Sequence, residues 1–168
     1  MHSDPGRFIF LDRDGVINER NFEGYILSYE DFHFKKDAFE SLSVLKENGF
    51  QLILITNQQC VGKGLISSTD LENLHQRMNS LLKEKCCEFT DIFYCPHKKE
   101  DGCNCRKPKP GMLFQARDKY SIQLEKTFFI GDSDSDMKAA ESAGCIGILA
   151  GGIGQKTLLE AVHTVVMM

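Results

Sequence analysis

The chain has 168 residues, 42% of them hydrophobic and 26% charged, with a net charge of -4. That length suits one domain over residues 1–168 with a substantial core. The charge argues against a general nucleic-acid binder, and no apolar run is long enough to span a bilayer. Met1 to Arg7 has no signal-peptide shape, so a cytoplasmic protein is expected. Seven scattered cysteines then fit reduced thiols and a metal site better than a disulfide framework.

Apolar strands alternate with helical patterns, which predicts a parallel sheet covered by helices. Phe8-Ile9-Phe10-Leu11 is the first strand and runs directly into Asp12-Arg13-Asp14-Gly15. An aromatic-rich loop spans Asn21 to Phe34, and Ala38, Leu42 and Leu45 then share a helical face ending near Gly49. Gln51 to Ile55 is the second strand and ends in Thr56-Asn57. Thr69-Asp70-Leu71-Glu72 reads as a capping box for a helix whose stripe is Leu71, Leu74, Met78 and Leu81. Asp91 to Tyr94 is a short third strand, followed by a Cys/His loop and a helix begun by Pro110. Thr127 to Ile130 is the fourth strand, ending in Gly131-Asp132. Met137 to Ala143 is helical, Ile146 to Leu149 is the fifth strand, and a terminal helix starts near Thr157.

In a parallel sheet, ligands bind at the carboxyl ends of the strands. Asp12 and Asp14, Thr56 and Asn57, Lys107, and Asp132, Asp134 and Asp136 can therefore share one pocket. Several carboxylates there call for a hard divalent cation such as Mg²⁺. Lys107, the Thr56 hydroxyl and loop N–H groups would let the cluster receive an anion, and phosphoryl transfer suits such a set. Each part has a plainer reading. The acidic loop at 132–136 suits a helix N-terminus, a strand-end hydroxyl makes turns, and a lone lysine is usually solvated.

Cys95, His97, Cys103 and Cys105 supply four ligands within a short loop, enough for a closed tetrahedral Zn²⁺ shell of structural type. Such a knot would brace Arg106 and Lys107, which follow at once. Cys86, Cys87 and Cys145 are expected to be core or semi-buried thiols, and Cys60 an unreactive one.

Asp12-x-Asp14-Gly15, Thr56-Asn57, Lys107-Pro108 and Gly131-Asp132-x-x-x-Asp136, in this order over nearly the whole chain, resemble the haloacid dehalogenase superfamily of phosphatases. The resemblance implies a Rossmann-like three-layer α/β sandwich with no large cap domain. It makes Asp12 the nucleophile of an aspartyl-phosphate pathway and Asp14 the acid and then the base. Thr56 and Lys107 would hold the phosphoryl group. Mg²⁺ would sit on Asp12, Asp132 and the Asp14 carbonyl, with Asp136 orienting the metal shell or Lys107. Asp134 is expected to be a solvated loop residue.

Cys95-Pro96-His97 and Cys103-x-Cys105-Arg106-Lys107-Pro108 are similar to the branch holding heptose bisphosphate phosphatases and histidinol-phosphatases. Lys107 to Leu113 and Gly62-Lys63-Gly64 are more similar to the heptose enzymes. The implied substrate is a small phosphate ester, a heptose 1,7-bisphosphate used in lipopolysaccharide synthesis, with histidinol phosphate as the alternative. A non-catalytic scaffold is disfavoured, because every essential group is present. By the same resemblance Asn18 to Tyr25, Asn57 to Gln59 and Arg106 meet the substrate. So does Ser133, where related enzymes usually carry a basic residue. Gln59-Cys60 likewise replaces the usual Ser-Gly. A capless pocket suits a monomer, with neither nucleic acid nor membrane as partner.

Overall fold

A computed structural model describes residues 7–168, so the reading of Met1 to Gly6 lies outside the described residues. Five strands form one parallel sheet in the order β3-β2-β1-β4-β5. They are β1 (Arg7–Leu11), β2 (Phe50–Asn57), β3 (Asp91–Cys95), β4 (Phe128–Gly131) and β5 (Ile146–Leu149). The strand order reverses between β1 and β4, whose register pairs Leu11 with Ile130. This is the switch point at which open α/β sheets bind ligands.

The helices are α1 (Ala38–Glu47), α2 (Ser68–Glu84), α3 (Gly111–Tyr120), α4 (Asp134–Ala143) and α5 (Leu158–Met167). Side chains alternate across a strand, so β1 sends Ile9 and Leu11 to one face and Phe8 and Phe10 to the other. The first face packs on α1, α2 and α5 through Leu42, Leu45, Met78, Leu82 and Val162. The second packs on α3 and α4 through Met112, Leu113, Ala116 and Ala139. Three layers result, as expected. No helix among the described residues is long and apolar enough to cross a membrane.

Several boundaries and burials differ from the sequence reading. The N-cap of α2 is Ser67, whose hydroxyl accepts from the Asp70 N–H, so no capping box forms from Thr69. Its buried face is Leu71, Leu74, His75, Met78 and Leu82, while Leu81 turns outward. Helix α4 begins at Asp134, one turn earlier than Met137, because Ser133 and Asp136 make a reciprocal capping box. Asp134 is therefore a first-turn helical residue, ion-paired to Lys138 at 2.7 Å. Cys86 is exposed, in a left-handed conformation (φ 56) just past α2, and only Cys87 enters the core. Cys60 is buried, and burial raises its thiol pKa. As an edge strand, β5 leaves Ile146 and Leu149 exposed.

Candidate active site

Strand β1 delivers Asp12 to the carboxyl edge of the sheet, where its backbone N–H bonds the Ile130 carbonyl. Gly15 turns the chain with φ 85, and a Cβ there would overlap the Asp132 carboxylate. Only glycine allows the loop after β1 to approach the loop after β4 this closely.

Lys107 reaches into this edge with 4% of its surface exposed. Its Nζ donates to Asp12 Oδ1 at 2.8 Å and to the Ile55 carbonyl at 2.9 Å. It also lies 2.6 Å from Asp136 Oδ1, an ion pair whose alignment falls short of a hydrogen bond. Asn57 fixes the backbone beneath it: its Nδ2 donates to the Lys107 carbonyl at 3.1 Å and its Oδ1 accepts from the Lys107 N–H at 3.0 Å. Both polar ends of Asn57 are thus committed to the lysine loop, although the residue still borders the cleft.

Asp136 serves the helix-capping role and the site at once. Its Oδ2 accepts from the N–H groups of Asp132 and Ser133 and from the Ser133 hydroxyl, while Oδ1 faces Lys107. Asp132 pairs with Arg20 at 3.0 Å. Asp12, Asp132 and Asp136 bring one oxygen each within 4.8 Å of one another.

Burial, then the neighbouring Asp136, holds the Asp12 pKa well above its usual range against the pull of Lys107. Burial also raises Asp132, against Arg20 and reinforced by Asp136. Lys107 is raised instead, because Asp12 and Asp136 outweigh its burial. Three carboxylates face two cations, Lys107 and Arg20, so the cluster has one negative charge in excess. A hard divalent cation with oxygen ligands fits that excess.

Asp14 stands apart from this cluster. Burial would raise its pKa, but Arg13 and hydrogen bonds from Asn18, Arg13 and Gln58 outweigh it and lower the pKa. Arg13 Nη2 lies 2.9 Å from Oδ1, Asn18 Nδ2 3.0 Å from Oδ1, and Gln58 Nε2 3.0 Å from Oδ2. Asn18, expected at the substrate, has a fully buried side chain whose Nδ2 donates to Asp14 Oδ1. Gln58 is also nearly buried and joins Asp14 to the Thr56 hydroxyl, which accepts from it at 2.9 Å. A hydroxyl both donates and accepts, so the Thr56 proton is left for another oxygen. Ser133, expected at the substrate, spends its hydroxyl on the Asp136 cap.

A cleft of about 180 Å³ opens beside Asp14 and is lined by Arg20, Tyr25, Asn57, Gln58, Gln59 and Arg106 among others. Arg106 borders this cleft and the one beside Cys103 and Lys107, and its Nη1 is buried with no hydrogen-bond partner among the described residues. A larger cleft of about 520 Å³ at the amino ends of the strands has no side-chain carboxylate, thiol or histidine in its lining. The carboxylate cluster itself opens on a smaller hollow of about 80 Å³ that Asp12, Lys107 and Asp136 line, and Asp14, Arg20 and Asn57 border both this hollow and the 180 Å³ cleft. Arg20 falls in the stretch from Asn18 to Tyr25 expected at the pocket and lines it. Arg13 and His75 escaped the sequence reading. Their only signals were a charge between two motif aspartates and a histidine on the apolar face of α2.

In the loop after β3, Cys105 Sγ lies 3.1 Å from Cys95 Sγ and 3.2 Å from His97 Nδ1, and Cys103 Sγ lies 3.6 Å from Cys95 Sγ. All four donors fall within 4.8 Å of one another. A tetrahedral shell with arms of ~2.0–2.3 Å has edges of roughly 3.3–3.8 Å, so the donor set fits Zn²⁺. Cys103 is held down to about 6: against its burial, the Arg106 N–H and the neighbouring thiols support a thiolate.

A family model described as polynucleotide kinase 3 phosphatase matches residues 7–144 of this chain. The chain belongs to that family, within the haloacid dehalogenase superfamily. A D-glycero-beta-D-manno-heptose-1,7-bisphosphate 7-phosphatase of Helicobacter pylori is 44% identical over 80% of this chain and 78% of its own length. A Photorhabdus laumondii relative, named for the alpha anomer of that substrate, is 39% identical over 86% of this chain and 81% of its own. Among solved structures, a D,D-heptose 1,7-bisphosphate phosphatase from B. bronchiseptica, complexed with magnesium and phosphate, aligns with a TM-score of 0.88. It is 28% identical and covers 96% of this chain and 98% of its own.

Proposed function

We propose that the chain is a Mg²⁺-dependent phosphatase that removes the 7-phosphate of a D-glycero-D-manno-heptose 1,7-bisphosphate, with residues 7–168 working as one phosphatase domain. The observation that carries this is the meeting of Asp12 with Lys107 at 2.8 Å, beside a cleft that Arg106 borders. The names of the H. pylori and B. bronchiseptica relatives support the substrate.

In this reading an Asp12 carboxylate oxygen attacks phosphorus. The bond from phosphorus to the sugar oxygen breaks, and that oxygen takes the Asp14 proton. Water then attacks the aspartyl-phosphate and gives its proton to Asp14. Inorganic phosphate leaves, and the Asp12 carboxylate is restored. Resting Asp14 is a carboxylate suited to the second half, and an arriving phosphate dianion raises its affinity for the proton that the first half needs. Lys107 and the Thr56 hydroxyl hold the transferred group, and Arg106 faces the second phosphate. Asp12, Asp132 and the Asp14 carbonyl would hold Mg²⁺, with Asp136 keeping Lys107 in place. Bound there, Mg²⁺ would offset charge on the phosphoryl oxygens. Cys95, His97, Cys103 and Cys105 would hold a structural Zn²⁺ that braces the loop of Arg106 and Lys107.

The test is phosphate release with Mg²⁺ from both anomers of the heptose bisphosphate, from histidinol phosphate and from a 3′-phosphorylated oligonucleotide. A kcat/KM preference for a heptose anomer supports the reading. A preference for histidinol phosphate or the oligonucleotide overturns the substrate.

A further inference from the structure

Arg13 lies between the two motif aspartates and is fully buried. Two of its guanidinium nitrogens serve one oxygen: Nη2 and Nε lie 2.9 and 3.3 Å from Asp14 Oδ1. The third, Nη1, points away from the site and meets His75 Nε2 at 3.1 Å. A guanidinium only donates. His75 Nε2 must therefore accept, which makes the ring neutral with its proton on Nδ1. His75 is 3% exposed on the inner face of α2, and its ring packs against Tyr94 with centroids 6.1 Å apart. Burial, then the Arg13 charge, pushes its pKa down to about 3, in keeping with the neutral ring.

We infer that His75 is a positioning residue for the reaction: its neutral Nε2 locks the buried Arg13 guanidinium, which in turn aims the Asp14 carboxyl at the leaving-group oxygen. Without that acceptor, Nη1 is a buried donor with no partner, a state costly enough to make the guanidinium turn. Turning would carry it away from Asp14 Oδ1, and a carboxyl moved by a fraction of an ångström protonates a leaving group poorly. Asn18 and Gln58 hold Asp14 from its other sides, so the loss is partial.

The inference rests on Asp14 being the general acid, and the test separates the two ideas. Sugar phosphates need a proton on the departing oxygen, whereas p-nitrophenyl phosphate expels a stable anion without one. His75→Leu, His75→Gln and Asp14→Asn are compared with the parent on both substrates by kcat/KM, with urea midpoints as a check of folding. His75→Leu is expected to lose tens-fold to about a hundredfold on the heptose bisphosphate, part of the ~10²–10⁴ that a positioned acid supplies. Its kcat/KM on p-nitrophenyl phosphate should hardly change, because that ratio covers only the steps up to release of the leaving group and not the later hydrolysis in which Asp14 is the base. His75→Gln, which restores a neutral acceptor, should recover most of the loss. Equal losses on both substrates, no loss in His75→Leu, or no rescue by Gln would overturn the inference. If Asp14→Asn shows the selective loss while His75→Leu does not, the acid assignment stands and the relay falls. If Asp14→Asn loses kcat/KM equally on both substrates, the acid assignment falls and takes the relay with it; an equal loss confined to kcat reports only its role as base in the second half.

Discussion

Lys107 Nζ lies 2.8 Å from Asp12 Oδ1 and 2.6 Å from Asp136 Oδ1, one buried cation between two buried carboxylates. The contact joins the loop after β3, the end of β1 and the first turn of α4. It therefore links catalysis to stability. Lys107→Met should abolish measurable turnover and lower the unfolding free energy by about 3–5 kcal/mol, because it strands two buried charges. Urea denaturation reads the second effect. A variant as stable as the parent would show that the triad is not charged in the folded chain.

Arg106 borders the cleft, and its Nη1 has no hydrogen-bond partner among the described residues. Arg106→Ala should raise KM for the heptose 1,7-bisphosphate roughly tenfold, the loss of one charge-assisted hydrogen bond. KM for heptose 7-phosphate, which lacks the far phosphate, should hardly change. Equal effects on both would place Arg106 at the reacting phosphate instead.

Cys105→Ser removes the donor that stands 3.1–3.2 Å from both Cys95 and His97. The variant should lose its zinc, measured by elemental analysis, and lose activity through slack in the Arg106–Lys107 loop. Unchanged zinc content would refute the ligand set.

His75 adds an acid-labile component to the fold, opposed as pH falls by Asp12 and Asp132, whose raised pKa values favour the protonated folded chain. The pKa of His75 is 6.5 as a free group and about 3 in the structure, so the unfolded chain binds the extra proton between those values. The His75 contribution to stability therefore rises with pH across this window and is lost as pH falls below about 6.5, by up to ~1.4 kcal/mol per unit for this one group. Asp14, whose pKa is lowered, adds its own loss only further into acid, below the ordinary carboxylate range. His75→Gln should flatten the slope between pH 6 and about 4 in denaturation curves taken across pH. An unchanged slope would mean that His75 is not buried neutral.

What the sequence made legible was local. Apolar runs marked three strands whose ends carry motif residues, with Lys107 in the loop after a fourth, and strand ends share one edge of a parallel sheet. That was enough to bring Asp12, Lys107 and Asp132 together, and to group the four zinc donors within eleven residues of chain. Contacts made across the fold were not legible. Asn18 looked like a cleft residue because it follows the motif, yet the turn at Gly15 folds it under Asp14. Arg20 meets Asp132 across 112 residues, and Arg13 meets His75 across 62. Nothing in the spacing of either pair announces the contact. The start of α2 was misplaced because Ser67, Ser68 and Thr69 are all competent caps, and only the backbone decides which accepts the Asp70 N–H. The Cys86-Cys87 pair was read as uniform, but a left-handed residue at the helix end sends adjacent side chains in different directions.

The most direct test of the whole account is to trap the covalent intermediate. The enzyme is mixed with Mg²⁺ and heptose bisphosphate, quenched within a turnover, and treated with borohydride, which reduces an acyl phosphate to the alcohol. Peptide mass spectrometry should find the reduction at Asp12 alone, and only when substrate was present. Reduction at another carboxylate, or none during active turnover, would contradict Asp12 as the nucleophile and with it the mechanism drawn from its contact with Lys107.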